Sequence, residues 1–520
     1  MDKRKERIAA AIDIGSSGVR MHISQWDGHA IAKLDRLEKP IYMGQEVFTA
    51  GYISPETLRD LSNILSGFTT VAKGYQISRI YAIATTALRE AVNQAYVLDY
   101  LSIQNKLDVQ VLEDSEANAL LFNAMQNSCY PSWEKAMLVF GGAGTINFAL
   151  LEKGKIAFTH AISTGLLKIA KMMREAADYS RHIDLAAEEY LCTFLTNGHS
   201  AQKMLQAEGI IFATRNMRPL YQVFRDFIKP GGQDMVLLPR KTLLSVYEQY
   251  RPLSVEQIST RHKLSLAQAG ILSATLTFLA VLVQMTEIEE IYCTQVSLAD
   301  AMLNLHLQPK ARRAYNDSLR AGTITSAVDL AQRYHCDLKH SQHVTDLALT
   351  LFEKLRKVHG LSQKQSLLLQ IACILHETGH YTTVADTKEA SYDLVKDAQI
   401  YGLRAHETLL CANIISPQNL LGVTTGAWQN YLLAEDDVLF INKMHAILRL
   451  ADSLDYSRKH KAKLYGVEQS DDHLTLTLTV QEDYSLEQWM FRHSSVLFQE
   501  VFGIIPRIKI KSTSGTEVII

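Results

Sequence analysis

The sequence predicts a duplicated α/β amino-terminal half, then an all-helical segment, then a small α+β end. Three observations carry this expectation. Residues 10–25, AAIDIGSSGVRMHISQ, and the stretch around Phe140–Thr145, FGGAGT between AMLV and INFALL, follow one pattern: apolar strand, small-residue turn, second strand. The two copies lie roughly 130 residues apart and mark an internal repeat. Beyond about Pro309 the strand signal fades into helical periodicity.

The elements follow in order. Each hairpin is followed by another turn, Asp27-Gly28 in the first copy and Lys153-Gly154 in the second, and by another strand-like run. After IYMGQEVFTAGYIS comes an amphipathic helix near Pro55–Gly74. A short strand, RIYAIAT at 79–85, leads into a helix starting near Thr86. DVQVL at 108–112 is followed by a helix from about Ser115 to Asn127. Strands alternating with helices argue for α/β layers. Residues 131–310 repeat the theme with longer helices, and 266–285 is almost wholly apolar, as in a buried helix. Residues 312–460 are helical with short loops. After Tyr465, GVEQSDDHLTLTLTVQED alternates like a hairpin and PRIKIKS reads as a strand. The expected domains are 1–130, 131–310, 311–464 and 465–520.

Composition narrows the classes. With 47% hydrophobic and 21% charged residues the chain is ordinary for a soluble globular protein. Lys+Arg 53 against Asp+Glu 55 gives no global basic field for nucleic acid. Cys129, Cys192, Cys293, Cys336, Cys373 and Cys411 are scattered without a CxxC pair, so neither a disulfide framework nor cysteine-held zinc is expected, and a reducing cytoplasm fits. The charged MDKRKER start and the Asp13-containing run after it read as neither signal peptide nor membrane span.

The glycine turns point to phosphate. Glycine permits close approach, and successive backbone N–H groups can cradle an anion. Asp13, at the end of a strand before Gly15-Ser16-Ser17-Gly18, can position a metal-bound phosphate or water; the plainer role is to cap its own turn. His376-Glu377-Thr378-Gly379-His380 spells H-E-x-x-H, which on a helix can bind zinc, with Glu389 a third ligand. Gly379 weakens that helix, and no downstream zincin pattern follows.

AAIDIGSSGVRMHI, ATTALREAVN (84–93), VLEDSEANALLF (111–122) and LVFGGAGTINFALL, in that order, resemble the exopolyphosphatase / guanosine pentaphosphate phosphohydrolase (Ppx/GppA) family. HSQHVTDLALTLFEKLRKVHGLS (340–362), QIACILHETGHY (370–381) and 465–520 extend the resemblance over nearly the whole chain. It implies duplicated actin-like (ribonuclease H-like) domains with phosphate in the cleft between them, a helical HD-like domain and a small cap. It further implies Mg²⁺, a homodimer, and release of terminal phosphate from polyphosphate or guanosine pentaphosphate.

Residue by residue, the resemblance assigns Gly15, Ser16, Ser17, Gly18, Gly141, Gly142, Ala143, Gly144 and Thr145 to phosphate binding, with Arg89. It makes Asp13 catalytic and the metal ligand, and Glu116 the group that activates water. Read without it, Arg89 is a surface helix charge and Glu116 a helix-start acid favoured by the dipole. The family's second-loop Asp and Glu fall on Val139 and Ile146, which cannot ligate Mg²⁺. Two later family loops fall near Gly209–Ala213 and Ser297–Met302, both poor in glycine. A metal-dependent HD site would draw on His343, His376 and Asp452, but position 377 is Glu and TKEAS at 387–391 lacks the expected histidine. A helical domain with polar core residues fits that pattern better. The alternative to a hydrolase is a catalytically weakened polyphosphate- or nucleotide-binding regulator. A sugar or acetate kinase of the same superfamily suits the Glu116 segment and the helical half less well.

Overall fold

Strand β1, Arg7–Gly15, turns through two residues into antiparallel β2, Gly18–Trp26, and β3, Ile31–Pro40, adds to β2. The computed structural model describes residues 7–126, 133–162, 164–176, 183–195, 206–214, 217–225, 235–417, 433–470, 472–511 and 517–519. They divide into two units, 1–322 and 323–520, and the division falls inside the helix Ala311–Arg333.

In the first unit β4, Ile80–Ala84, pairs parallel with β1, and β5, Val109–Val111, pairs parallel with β4, giving the order β3-β2-β1-β4-β5. The second sheet repeats this. Its hairpin is β6, Lys135–Gly141, with β7, Ile146–Glu152; β8, Lys155–Ile162, adds to β7. β9, Gly209–Thr214, is parallel to β6, and β10, Met235–Pro239, edges β11, Glu290–Thr294. The order β10-β11-β9-β6-β7-β8 is the first sheet's order with one edge strand added. The sequence repeat is therefore a repeat of topology.

Period-two alternation divides β1 cleanly. Ala10, Ile12 and Ile14 enter the core under the helix Pro55–Gly74, whose start is capped by Ser54 and carries proline at its first position. Ala9, Ala11 and Asp13 face the other way. There the helix Leu298–Leu307 packs against β1 and β2. This helix lies in the stretch assigned to the second α/β domain, yet it covers the first sheet. Ser297 caps it, so Ser297–Met302 is a helix start rather than a glycine-type loop. Gly209–Ala213 is the buried strand β9. Gly209 is required there, because a Cβ would fall 2.2 Å from the Trp133 ring.

The helix Leu266–Gln284 is apolar enough to cross a membrane, but most of it is buried in the second sheet's core beside Phe148 and Phe212. Each large apolar side chain buried this way contributes about 1.5–3 kcal/mol. The described residues of the second unit between 323 and Ser453 are helical, and the unit ends in the sheet β12, Ala462–Gln469, β13, His473–Val480, β14, Ile505–Lys511, and β15, Glu517–Ile519. The helix Ser485–Phe502 crosses over to make β13 and β14 parallel. The five described cysteines are free thiols; Cys129 lies outside the described residues, as does Asn127.

Candidate functional site

The two-residue turn sets the register of the first hairpin: Gly15 opposes Gly18, so Asp13 opposes Arg20. Across β3, Arg20 opposes Glu38 and His22 opposes Arg36. These polar side chains share the face covered by Leu298–Leu307. A cavity of about 540 Å³ opens beside them, lined by Asp13, Arg20, Arg36 and Glu38 from the first sheet, Phe140 from β6, and Arg218, Lys263, Gln268 and Gln295 from the second half. Four cations against two carboxylates leave it with a positive balance, suited to an anion.

Asp13 is 4% exposed, and its Oδ1 is buried without a hydrogen-bond partner. Such an atom is costly unless something positive meets it. Glu38 also reaches the cavity, but Arg20 Nε donates to its Oε1 at 2.7 Å. On the helix Leu298–Leu307, Asp300 accepts from His22 Nδ1 at 2.7 Å and from Arg36 Nη2 at 3.1 Å. Burial pushes the Asp300 carboxyl up, but the His22 hydrogen bond and the charges of His22, Lys33 and Arg36 hold it below its ordinary value.

The remaining expected residues lie apart from the cavity lining. Arg89, in the short helix Thr86–Glu90, donates to Leu112 O at 3.2 Å and to Asp114 Oδ2 at 3.0 Å. Glu116, in the helix Asp114–Gln126, accepts from Glu113 N–H at 3.1 Å, a helix-capping contact. Ser16 and Ser17 form the first turn, and Gly44 N–H donates to Ser16 O at 2.8 Å. In the second turn Gly142 N–H donates to Thr145 O. Leu166 and Leu167, at the start of the helix Leu166–Ala176, donate to Gly142 O and Ala143 O. Gly165 permits that approach, since a Cβ would meet Ala143 O at 2.3 Å. Val139 and Ile146 are fully buried in the second sheet's core, and the polar neighbour there is Asn147, bonded to Asn118 and Thr145.

In the second unit the H-E-x-x-H stretch is not one helix. The helix Ser366–Leu375 stops before His376, and residues Thr378–Tyr381 form a 3₁₀ turn. His380 is half exposed and turns toward Glu377, its Nε2 lying 3.8 Å from Oε1, while Glu389 is exposed. What gathers instead is His340, His376, Glu377 and Asp452, with Asp455 behind. His343 lies against His460 on the other side of Asp455. His340 is pushed up to about 9: burial opposes its charge, but hydrogen bonds to Asp452 and Asp455 and the Glu377 charge outweigh it.

Sequence reasoning missed Arg20, although the turn length and strand alternation place it opposite Asp13. Arg36, Arg218, Lys263 and His340 carry no local signal.

The family model for the Ppx/GppA phosphatase family matches residues 22–303, and that for Ppx/GppA phosphatase domain III matches residues 320–495. The chain belongs to the Ppx/GppA phosphatase family. Similar curated proteins are named guanosine-5'-triphosphate,3'-diphosphate pyrophosphatase. That of Photobacterium profundum is 20% identical over 485 residues, covering 90% of this chain and 91% of the relative. That of Vibrio atlanticus is 22% identical over 489 residues, covering 91% and 92%. An Aquifex aeolicus Ppx/GppA family member of known structure matches with a TM-score of 0.52 at 15% identity, over 60% of this chain and 99% of that one. This likeness shows the fold. It covers only part of the present Ppx/GppA chain, whose domain III match adds the helical half.

Proposed function

We propose that this Ppx/GppA protein hydrolyses a phosphoanhydride, releasing terminal phosphate from inorganic polyphosphate or guanosine pentaphosphate. The observation that carries the reading is Asp13: a buried carboxylate with a partnerless oxygen at the edge of a cavity lined by Arg20, Arg36, Arg218 and Lys263. A phosphate chain offers the repeated negative charge that such a lining would neutralise. The names of the relatives above agree with this chemistry.

Asp13 fits Mg²⁺, a hard cation that needs only one or two protein carboxylates when phosphates and waters complete its shell. Bound there, Mg²⁺ would neutralise phosphate charge. The arginines and lysine would hold non-bridging oxygens and stabilise charge spreading over the transferred group. Glu116 would orient the attacking water. The turns Gly15–Gly18 and Gly141–Thr145 would hold phosphate oxygens through backbone N–H groups other than that of Gly142, which donates to Thr145 O, with help from Arg89. We assign the reaction to the cytoplasm and to a homodimer, and read the helical half as HD-like.

A second reading is a regulator that binds the same anions without turnover. It is favoured by the core burial of Val139 and Ile146, which leaves the second loop without a carboxylate, and by the capping contact of Glu116. Phosphate released from polyphosphate and from guanosine pentaphosphate in the presence of Mg²⁺ separates the two. Release lost in Glu116→Ala supports the hydrolase; binding of either anion without release supports the regulator.

A further inference from the structure

The last sheet of the second unit has two unlike faces. Strand alternation sends Leu474, Leu476 and Leu478 of β13 and Ile508 of β14 into the core with Phe491 and Phe498 of the helix Ser485–Phe502. The residues between them point the other way. The strand register sets them in rows: Lys463, Thr479 and Lys511 in one; Gly466, Thr477 and Lys509 in the next; Glu468, Thr475 and Arg507 in the third. These rows carry four cations and three hydroxyls against one carboxylate.

Two further observations set this face apart from an ordinary solvated one. The β12–β13 ladder slips between Leu464 and Gly466, which leaves Tyr465 outside the pairing with its ring 73% exposed. Lys511 Nζ lies 4.1 Å from the centre of that ring, so the ring shares the outer face with the cations. Among the described residues, no carboxylate pairs with Lys463, Arg507 or Lys511, Glu468 included. Like charges held side by side without counter-charges repel, and an anionic chain laid across them relieves that repulsion.

The arrangement also selects among anionic chains. Arg507, Lys509 and Lys511 recur at every second residue of β14, about 6.6 Å apart. That spacing suits phosphates separated by sugars. Polyphosphate would satisfy the charges but has no flat surface to lay on Tyr465. A duplex has bases, but keeps them stacked inside. A single strand offers both phosphates and open base faces.

We propose that the outer face of β12, β13 and β14 binds single-stranded nucleic acid. Lys463, Arg507, Lys509 and Lys511 hold phosphates, and the Tyr465 ring stacks on a base. The hydroxyls of Thr475 and Thr479 donate to phosphate or sugar oxygens. The near-zero net charge of the whole chain does not oppose this, because salt screens charges more than about 10 Å away. The face lies in the second unit, and the proposal does not depend on the function proposed above.

The test uses the full chain and fluorescein-labelled oligo(U) and oligo(dT) of about 12 nucleotides, with binding followed by fluorescence anisotropy over a range of salt concentrations. We expect saturable binding, tighter than that of a duplex of the same length, which persists in Arg36→Ala. It should weaken about 5-fold or more in Tyr465→Ala and be kept in Tyr465→Phe. Lys463→Gln and Arg507→Gln should each weaken it and flatten the slope of log K against log salt by about 0.7. Equal binding of the two oligonucleotides, or a preference for oligo(U) through its 2′-hydroxyls, both support the proposal. Absence of binding overturns it. So does binding that Tyr465→Ala leaves unchanged, or that polyphosphate of matched charge displaces from this face as well as unlabelled oligo(U) does, since either result marks a surface that reads charge alone.

Discussion

Asp13 and Arg20 face each other because a two-residue turn joins their strands, and that pairing puts a buried anion beside a cationic cavity. Replacing Asp13 with Asn keeps the shape and removes the charge. We expect kcat for phosphate release to fall by about 100-fold or more while polyphosphate binding stays within a few-fold, because the lost interaction is with charge developing in the transition state. Asp300 is a different case: it holds the helix Leu298–Leu307 on the first sheet through His22 and Arg36. Asp300→Asn should lower stability by about 1–2 kcal/mol, measured by denaturant unfolding near neutral pH. Because the folded-state carboxyl is held below its usual value, its contribution is present above about pH 4 and lost as pH falls through that lower value. The gap between wild type and variant should therefore shrink on acidification.

The hairpins, the helix Pro55–Gly74 and the buried helix near 266–285 were legible in the chain, since caps, turn residues and periodicity are local. The H-E-x-x-H stretch shows where such reading stops. Its spacing suits a continuous helix, but the helix Thr387–Lys396 approaches so closely that a Cβ on Gly379 would fall 1.9 Å from Thr387 O. Gly379 N–H donates instead to Ser391 Oγ at 2.8 Å, and the chain turns. Gly379→Ala should destabilise the second unit by about 2 kcal/mol or more, read as a drop in its melting temperature, because backbone must move to admit the methyl group. Similarly, the sequence marks Asp13 as a turn-edge carboxylate, but Arg36, Arg218 and Lys263 are brought to it only by sheet order and by the second half's helices. His340 and His343 are one turn apart on the same helix, and only tertiary packing decides which of them meets His376.

At the scale of the molecule, the duplicated sheets and the helical unit are separate constructions. The helix Ala311–Arg333 runs through the division, so a fragment beginning at Ala311 keeps it whole. Residues 311–520 expressed alone should fold cooperatively and release no phosphate from polyphosphate; circular dichroism melting and a phosphate assay check both halves of that statement. The central claim is that the cavity beside Asp13 both binds and cleaves a phosphoanhydride. The most direct measurement follows polyphosphate binding and phosphate release side by side, with Mg²⁺, in the wild type, Asp13→Asn and Arg36→Ala. The account predicts release in the wild type, its loss in Asp13→Asn with binding kept, and weakened binding in Arg36→Ala. Release that persists undiminished in Asp13→Asn, or wild-type binding without any release, would contradict it.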